Sequence, residues 1–209
     1  MTRTLVHLVR HGEVHNPDKV LYGRLPGYRL SEVGSSMAEV AAAALRGGDV
    51  VVVRSSPLER AQQTAAPIAA EFGLDVVLDD RLLEAENVFE GRQVDARMLR
   101  RPENWRHLRN PLSPSWGERY QLIAARMMAA AEDARDQARG HEAVCVSHQL
   151  PIYTLRRFLE GQRLWHFPGR RECALASITT VEWQDDRLVG VSYRDPAAHL
   201  STGVQLPGA

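Results

Sequence analysis

Short, mostly apolar segments alternate with segments of helical periodicity along this chain of 209 residues. The apolar segments have the length and composition of buried strands, and they cover residues 5–9, 50–53, 76–78 and 143–146. Apolar strands separated by helices are typical of a parallel sheet with helices packed on both faces. We therefore expect an α/β fold, a three-layer α/β/α sandwich around a mainly parallel sheet.

Polar residues mark where several of these elements begin. Ser31 is a helix-capping residue ahead of an amphipathic segment. Residues 56–59 and 115–118 both have the Ser-x-x-Glu pattern of a capping box, so we expect a helix to begin at each. Residues 177–183 and 187–193 have the composition of two strands joined by a short polar turn. We expect them to form a C-terminal β-hairpin.

The composition excludes several classes of protein. The 26 basic residues balance the 26 acidic ones, so the chain has no overall field that would attract nucleic acid or an anionic membrane. No apolar run approaches the ~18 residues that cross a bilayer, and charged residues interrupt the apolar stretch near the N-terminus. The two cysteines, Cys145 and Cys173, fit neither a disulfide framework nor a metal-binding spacing. We expect a single cytoplasmic domain over residues 1–209, with no nucleic-acid or membrane partner.

Charged and polar residues follow the four strands at the points where the strands end. Arg10 and His11 follow the first strand, Arg60 lies in the first turn of the helix after the second, Glu84 follows the third and His148 the fourth. Parallel sheets bind ligands at the carboxyl ends of their strands, so we expect these side chains to meet in one pocket. Arginines bind phosphate, an imidazole can attack phosphorus, and a carboxyl group can protonate the departing oxygen. The set predicts phosphoryl transfer through a phosphohistidine, with neither a metal ion nor another cofactor.

Four motifs carry these residues, in residues 8–13, residues 55–65, residues 82–84 with 90–91, and residues 147–148. In this order and strand context they resemble the motifs of the histidine phosphatase superfamily, which includes cofactor-dependent phosphoglycerate mutases and acid phosphatases. The resemblance covers nearly the whole chain.

The resemblance implies a role for each matching residue. His11 would be the phosphorylated nucleophile and Glu84 the proton donor and acceptor, while the phosphate would be bound by Arg10, Arg60 and His148. Asn16 resembles a phosphate-contacting asparagine of the family, and Tyr22 and Gly23 resemble the loop that follows it. Asn16 and this loop come one residue earlier than in the mutases.

The chain departs from the family pattern at two places. The second histidine is usually followed by glycine, and here Gln149 follows His148. The segment after Glu84 lacks the usual aromatic residue followed by glycine, so Glu86 is a rival proton donor. The register of the motif favours Glu84.

Residues 92–115 are rich in arginine, with six between positions 92 and 109. They form either a solvated helical face or a lid over the pocket, because the resemblance places a substrate-covering insertion here. A basic lid would favour acidic phosphate esters. The C-terminal hairpin supplies an exposed strand edge, which would allow a homodimer.

Three functions fit these observations. The favoured one is a metal-independent phosphatase that hydrolyses phosphate monoesters of a small phosphorylated substrate. The second is a phosphotransferase of the phosphoglycerate mutase type, which would return the phosphoryl group to bound product. The mutases share a pair of arginines followed by a tyrosine, whereas residues 100–102 here are Arg-Arg-Pro without that tyrosine. The third is a degenerate family member that only binds phosphorylated ligands.

Overall fold

Strands and helices alternate in the structure, a computed structural model that describes residues 2–93 and 117–201. Apart from residues 92 and 93, the predicted lid at about 92–115 lies outside the described residues. The elements in chain order are β1 (Arg3–Arg10), α1 (Glu32–Leu45), β2 (Val50–Ser55), α2 (Glu59–Phe72), β3 (Val76–Leu78), α3 (Tyr120–Gln137), β4 (Glu142–Ser147), α4 (Gln149–Leu159), β5 (Ile178–Gln184) and β6 (Arg187–Arg194).

The six described strands form one mixed sheet in the order β3-β2-β4-β1-β5-β6. The first four strands of that order are mutually parallel, and β5 and β6 are antiparallel to their neighbours. The predicted mainly parallel sheet and the C-terminal hairpin are both confirmed. Because β5 runs against β1, its first residue, Ile178, pairs with Val9 near the end of β1. The chain that enters β5 therefore reaches the same edge of the sheet as the carboxyl ends of the parallel strands.

Helices cover both faces of the sheet and bury one apolar cluster on each. Met37 of α1 and Ile68 of α2 pack with Val53 on one face, and Met127 of α3 and Leu155 of α4 pack with other strand residues on the opposite face. All five side chains are buried, and each stabilises the fold by about 1.5–3 kcal/mol relative to an exposed one. Within the described residues, no helix is long and apolar enough to cross a membrane.

The predicted helix starts are confirmed at α1 and wrong at α2. Ser31 caps α1, because its hydroxyl accepts a hydrogen bond from the Gly34 amide at 2.9 Å. Helix α2 begins at Glu59 after Leu58 rather than after Ser56. The Ser56 hydroxyl accepts a hydrogen bond from the Leu58 amide at 3.4 Å and also lies 2.8 Å from Nε2 of His148, so it is shared with a contact across the fold.

The predicted capping box of helix α3 lies partly outside the described residues. It starts at Tyr120, preceded by Arg119, and Ser115 of the predicted box lies outside the described residues. The Glu118 carboxylate accepts hydrogen bonds from the Arg126 side chain at 2.8 and 2.9 Å.

Candidate active site

His11 is a buried, neutral imidazole at the end of β1. Its Nδ1 donates to the Gly12 carbonyl at 2.8 Å, which leaves the lone pair on Nε2. Burial, helped by the positive charges of Arg60 and Arg10, lowers the pKa of His11 well below its ordinary value of 6.5. An uncharged imidazole with a free Nε2 lone pair is a nucleophile at neutral pH.

Gly12, which follows His11 in the turn after β1, packs closely against the start of α1. A side-chain carbon on Gly12 would run into the Gly34 carbonyl oxygen at the start of α1, so only glycine permits this approach. The Gly12 amide also donates to the Thr64 hydroxyl of α2 at 3.1 Å. Helices α1 and α2 thus fix the position of the His11 backbone.

Arg60 is a fully buried cation with hydrogen-bonding capacity left over. Its Nη2 donates to the Gly23 carbonyl at 2.6 Å and lies 3.3 Å from Nδ1 of His148, and its guanidinium lies 4.7 Å from the centre of the Tyr22 ring. Nε and Nη1 of Arg60 have no hydrogen-bond partner among the described residues. Buried donors without partners are costly, and an anion bound beside them would satisfy both.

Arg10 is the second buried cation of the pocket. Its Nη1 donates to the Cys173 carbonyl at 2.7 Å, in the segment that leads into β5. Burial raises the pKa of the Cys173 thiol to about 11, and that of the Cys145 thiol to about 12, so neither sulfur is a nucleophile at neutral pH.

His148 connects the end of β4 to Arg60. Because its Nδ1 accepts from Arg60, its Nε2 carries the proton and donates to the Ser56 hydroxyl at 2.8 Å. Burial, followed by the charge of Arg60, lowers the pKa of His148 well below 6.5. The rings of His148 and His11 are 5.1 Å apart between centroids, so the two imidazoles share one pocket.

Glu84 and its predicted rival, Glu86, lie in different environments. Glu84 is buried, with the Ala85 amide donating to Oε1 at 2.8 Å, and burial raises the pKa of its carboxyl group. The charges of nearby arginines, Arg60 first among them, oppose that shift. Glu86 is exposed and forms an ion pair at 2.9 Å with Arg24. Of the two carboxyl groups, the structure brings only Glu84 into the buried pocket.

The backbone on either side of Glu84 is held by two arginines. Arg24 donates to the Glu84 carbonyl at 2.6 Å, and Arg126 of α3 donates to the Leu83 carbonyl at 2.7 Å. Glu118 accepts from both arginines and joins them. We call Arg24, Arg126 and Glu118 the carbonyl clamp.

The three residues predicted from the resemblance to line the loop after β1 have different positions. Tyr22 is buried with its ring 6.4 Å from that of His11, so it lies in the pocket. Gly23 contributes its carbonyl to Arg60 and has a positive φ of 41°, and a side chain there would run into Glu90. The Asn16 side chain donates to the Val20 carbonyl and accepts from the Val20 backbone amide, so it closes its own loop. Its contact with phosphate stays a prediction.

Sequence reasoning missed two polar residues of this region, Ser56 and Arg171. Arg171 lies in the segment before β5, where its Nε donates to Nε2 of His166 at 2.8 Å and its Nη1 to Oε1 of Gln149 at 3.4 Å. The antiparallel direction of β5 could have indicated it, because the residues before such a strand lie at the carboxyl edge of the parallel strands. In the described parts of the chain, no group of three or more histidine, cysteine, aspartate or glutamate side chains is arranged to hold a metal ion.

Comparison with known proteins gives relatives of three kinds. The chain is 57% identical over 197 residues to "Uncharacterized protein Rv0525" of Mycobacterium tuberculosis, covering 93% of this chain and 98% of the relative. It is 31% identical over 186 residues to "Probable phosphoglycerate mutase GpmB" of Escherichia coli, covering 86% and 85% of the two chains. The solved structure of mycobacterial glucosyl-3-phosphoglycerate phosphatase Rv2419c is 26% identical, with a TM-score of 0.71 over 86% of this chain and 90% of that one.

The family model of the histidine phosphatase superfamily, branch 1, matches residues 6–196. That span includes the ends of all four parallel strands and the described side chains that meet there. The chain belongs to the histidine phosphatase superfamily.

Proposed function

We propose that this protein is a phosphatase that hydrolyses phosphate monoesters through a phosphohistidine at His11, without the need for a metal ion. The observation that supports it most directly is the pairing of the free Nε2 lone pair of His11 with the unpartnered, buried donors of Arg60 in one pocket. A nucleophile and a dianion-binding cation beside each other are what attack on a phosphoryl group requires. The glucosyl-3-phosphoglycerate phosphatase that shares this fold adds support.

The first step transfers the phosphoryl group to the protein. Nε2 of His11 attacks phosphorus, the bond from phosphorus to the ester oxygen breaks, and the departing oxygen takes the proton of the Glu84 carboxyl group. The raised pKa of Glu84 keeps that proton available above the usual range of a carboxylic acid. Arg10, Arg60 and His148 would hold the phosphoryl oxygens and stabilise the charge that develops on them.

The second step releases phosphate. Water attacks phosphorus, the phosphorus–nitrogen bond breaks, and the Glu84 carboxylate takes a proton from the water. Inorganic phosphate leaves, and His11 and Glu84 return to their starting protonation states. Because side chains supply all the positive charge, no metal ion takes part in either step.

Replacement of His11 by alanine tests the nucleophile. We expect His11→Ala to lose activity toward phosphate esters by at least about 10³-fold and to form no acid-labile, alkali-stable phosphoenzyme, because the other imidazole of the described pocket, His148, has both ring nitrogens engaged by Arg60 and Ser56. The exposed His15 provides a matched control, and His15→Ala should keep both properties. Activity should be unchanged by EDTA. A His11→Ala variant with normal turnover, or loss with EDTA and recovery with a divalent ion, would contradict the mechanism.

A second experiment identifies the acceptor of the phosphoryl group. The 31% identity to a named phosphoglycerate mutase makes a mutase the alternative to be tested. We expect 3-phosphoglycerate, with a trace of 2,3-bisphosphoglycerate, to give inorganic phosphate without isomerisation when followed by ³¹P NMR. Rapid formation of 2-phosphoglycerate with little free phosphate would show a mutase instead. Binding of phosphate esters without hydrolysis or isomerisation would show that the protein only binds phosphorylated ligands.

A further inference from the structure

Arg171 is a cation of the same pocket that the two-step reaction leaves without a role. It is partly buried, and two neutral groups accept its hydrogen bonds, His166 at 2.8 Å and Gln149 at 3.4 Å. His166 accepts through Nε2 because its Nδ1 donates to the Leu164 carbonyl at 2.7 Å. Burial lowers the pKa of His166 to about 4, so this acceptor stays neutral at physiological pH.

Among the residues that the structure describes, no carboxylate pairs directly with Arg171. In residues 2–93 and 117–201, no aspartate or glutamate oxygen lies within 4 Å of its guanidinium nitrogens. Burial lowers the pKa of Arg171, and the charge of Glu84 opposes that shift while the charge of Arg10 reinforces it. A guanidinium held in place by neutral acceptors keeps its full charge for a ligand.

Gln149 ties Arg171 to the phosphate-binding part of the pocket. Its Oε1 accepts from Arg171, and its Nε2 lies 3.5 Å from the Cys173 carbonyl, the same carbonyl to which Arg10 donates. Gln149 also directly follows His148. Arg171 and Arg10 are therefore joined through Gln149 and the Cys173 carbonyl, and they lie close enough for the charge of Arg10 to lower the pKa of Arg171.

We infer that Arg171 is a specificity-determining residue that binds a second anionic group, a carboxylate or a second phosphate, on the alcohol part of the substrate. The inference rests on the proposed function of the His11 pocket. Arg10 and Arg60 match the charge of one phosphoryl group, and Arg171 adds a cation beyond that requirement. Gln149 and His166 position the Arg171 guanidinium and do not themselves contact the reacting atoms.

Matched esters that differ by one carboxylate test this inference. We expect the wild-type protein to prefer 3-phosphoglycerate over glycerol 3-phosphate, and 4-carboxyphenyl phosphate over phenyl phosphate, in at least one of the two pairs. In Arg171→Met, that ratio of kcat/KM values should fall by about 10- to 100-fold, the usual contribution of one charge-assisted hydrogen bond. Arg171→Lys should recover part of it. The neighbouring Arg170 is exposed, and Arg170→Met should leave the ratio unchanged.

Calorimetric binding to the His11→Ala variant separates this inference from the proposed function. If the wild-type protein hydrolyses no ester but the variant binds a carboxylate ester more tightly through Arg171, the inference stands and the phosphatase proposal fails. If esters are hydrolysed and Arg171→Met lowers kcat/KM equally within each pair, the phosphatase proposal stands and the inference is overturned. Wild-type ratios near one in both pairs would overturn it as well.

Discussion

Glu84 and Glu86 are two residues apart, yet only one of them has the environment of a general acid. The buried Glu84 carboxyl has a raised pKa, whereas the exposed Glu86 is paired with Arg24. The motif register favoured Glu84 from the sequence, but two glutamates of the same type cannot be separated by residue identity. What separates them is burial, which depends on how the loop is held.

We expect Glu84→Gln to lower kcat by about 10²- to 10⁴-fold for alkyl phosphates, because their oxygen leaves poorly without a proton. The loss should be much smaller for p-nitrophenyl phosphate, whose leaving group departs without help. Since burial raises the pKa of Glu84, the acid form persists above pH 4.5, and the fall of activity at high pH should lie above that value. Steady-state kinetics as a function of pH and leaving group measures both effects.

Glu86→Gln is the matched control for that experiment. It removes an exposed carboxylate from the same loop and should show no dependence on the leaving group. If Glu86→Gln shows the dependence and Glu84→Gln does not, the proton donor is two residues further along the chain than the structure indicates.

At the scale of single residues, the sequence predicted the pocket position of those side chains that lie at the end of an apolar strand. Arg10, His11 and His148 each follow an apolar strand directly, and the structure brings all three together. Ser56 and Arg171 could not be predicted in the same way. Their partners, His148 and His166, are distant in sequence or lie in an irregular segment, and no local pattern marks such contacts.

At the scale of elements, strands were more predictable than helix starts. Strand position depends on an apolar run that must be buried, and every predicted strand appears in the sheet. A capping box depends on short-range hydrogen bonds that other parts of the fold can replace. The Ser56 hydroxyl is shared between the Leu58 amide at 3.4 Å and His148 at 2.8 Å, and α2 begins later than its local sequence indicates.

The carbonyl clamp includes Glu118, the glutamate of the second predicted capping box. Arg24 comes from the loop after β1 and Arg126 from α3, and together they donate to carbonyls on both sides of the Glu84 side chain. Glu118, which joins them, lies shortly after the segment where a lid was predicted. The capping glutamate of the sequence pattern is thus part of the support of the candidate proton donor.

At the scale of the whole molecule, the sheet order decides which charges meet. Placing β4 between β2 and β1 brings His148 beside both Arg60 and His11, and reversing β5 brings Arg171 to the same edge. The sequence indicated a mainly parallel sheet but could not give its strand order, because apolar strands of similar length do not specify their neighbours. The pocket that results contains several histidines that are buried as neutral groups.

These neutral histidines should make the folded protein lose stability as the pH falls below about 6.5. Burial lowers the pKa of His11, His148 and His166 in the folded state, whereas the unfolded chain protonates them at their ordinary value of 6.5. The unfolded state therefore binds more protons, and the free energy of unfolding decreases by about 1.4 kcal/mol per pH unit for each fully shifted group. Urea unfolding followed by circular dichroism at pH 7, 6 and 5 measures this slope.

His166 allows the slope to be assigned to a particular side chain. Its folded pKa of about 4 implies that protonation destabilises the folded protein by roughly 3 kcal/mol between pH 6.5 and 4. We expect His166→Gln to reduce the slope by about one proton. The glutamine side chain keeps an acceptor for the hydrogen bond of Arg171. His15→Gln, at an exposed site, should leave it unchanged. The window from pH 7 to 5 lies above the ordinary carboxyl range, so carboxylates in ion pairs contribute little to it, whereas Glu84, whose pKa is raised by burial, opposes the slope. Equal stability at pH 7 and 5, or an unchanged slope in His166→Gln, would show that these histidines are protonated in the folded protein.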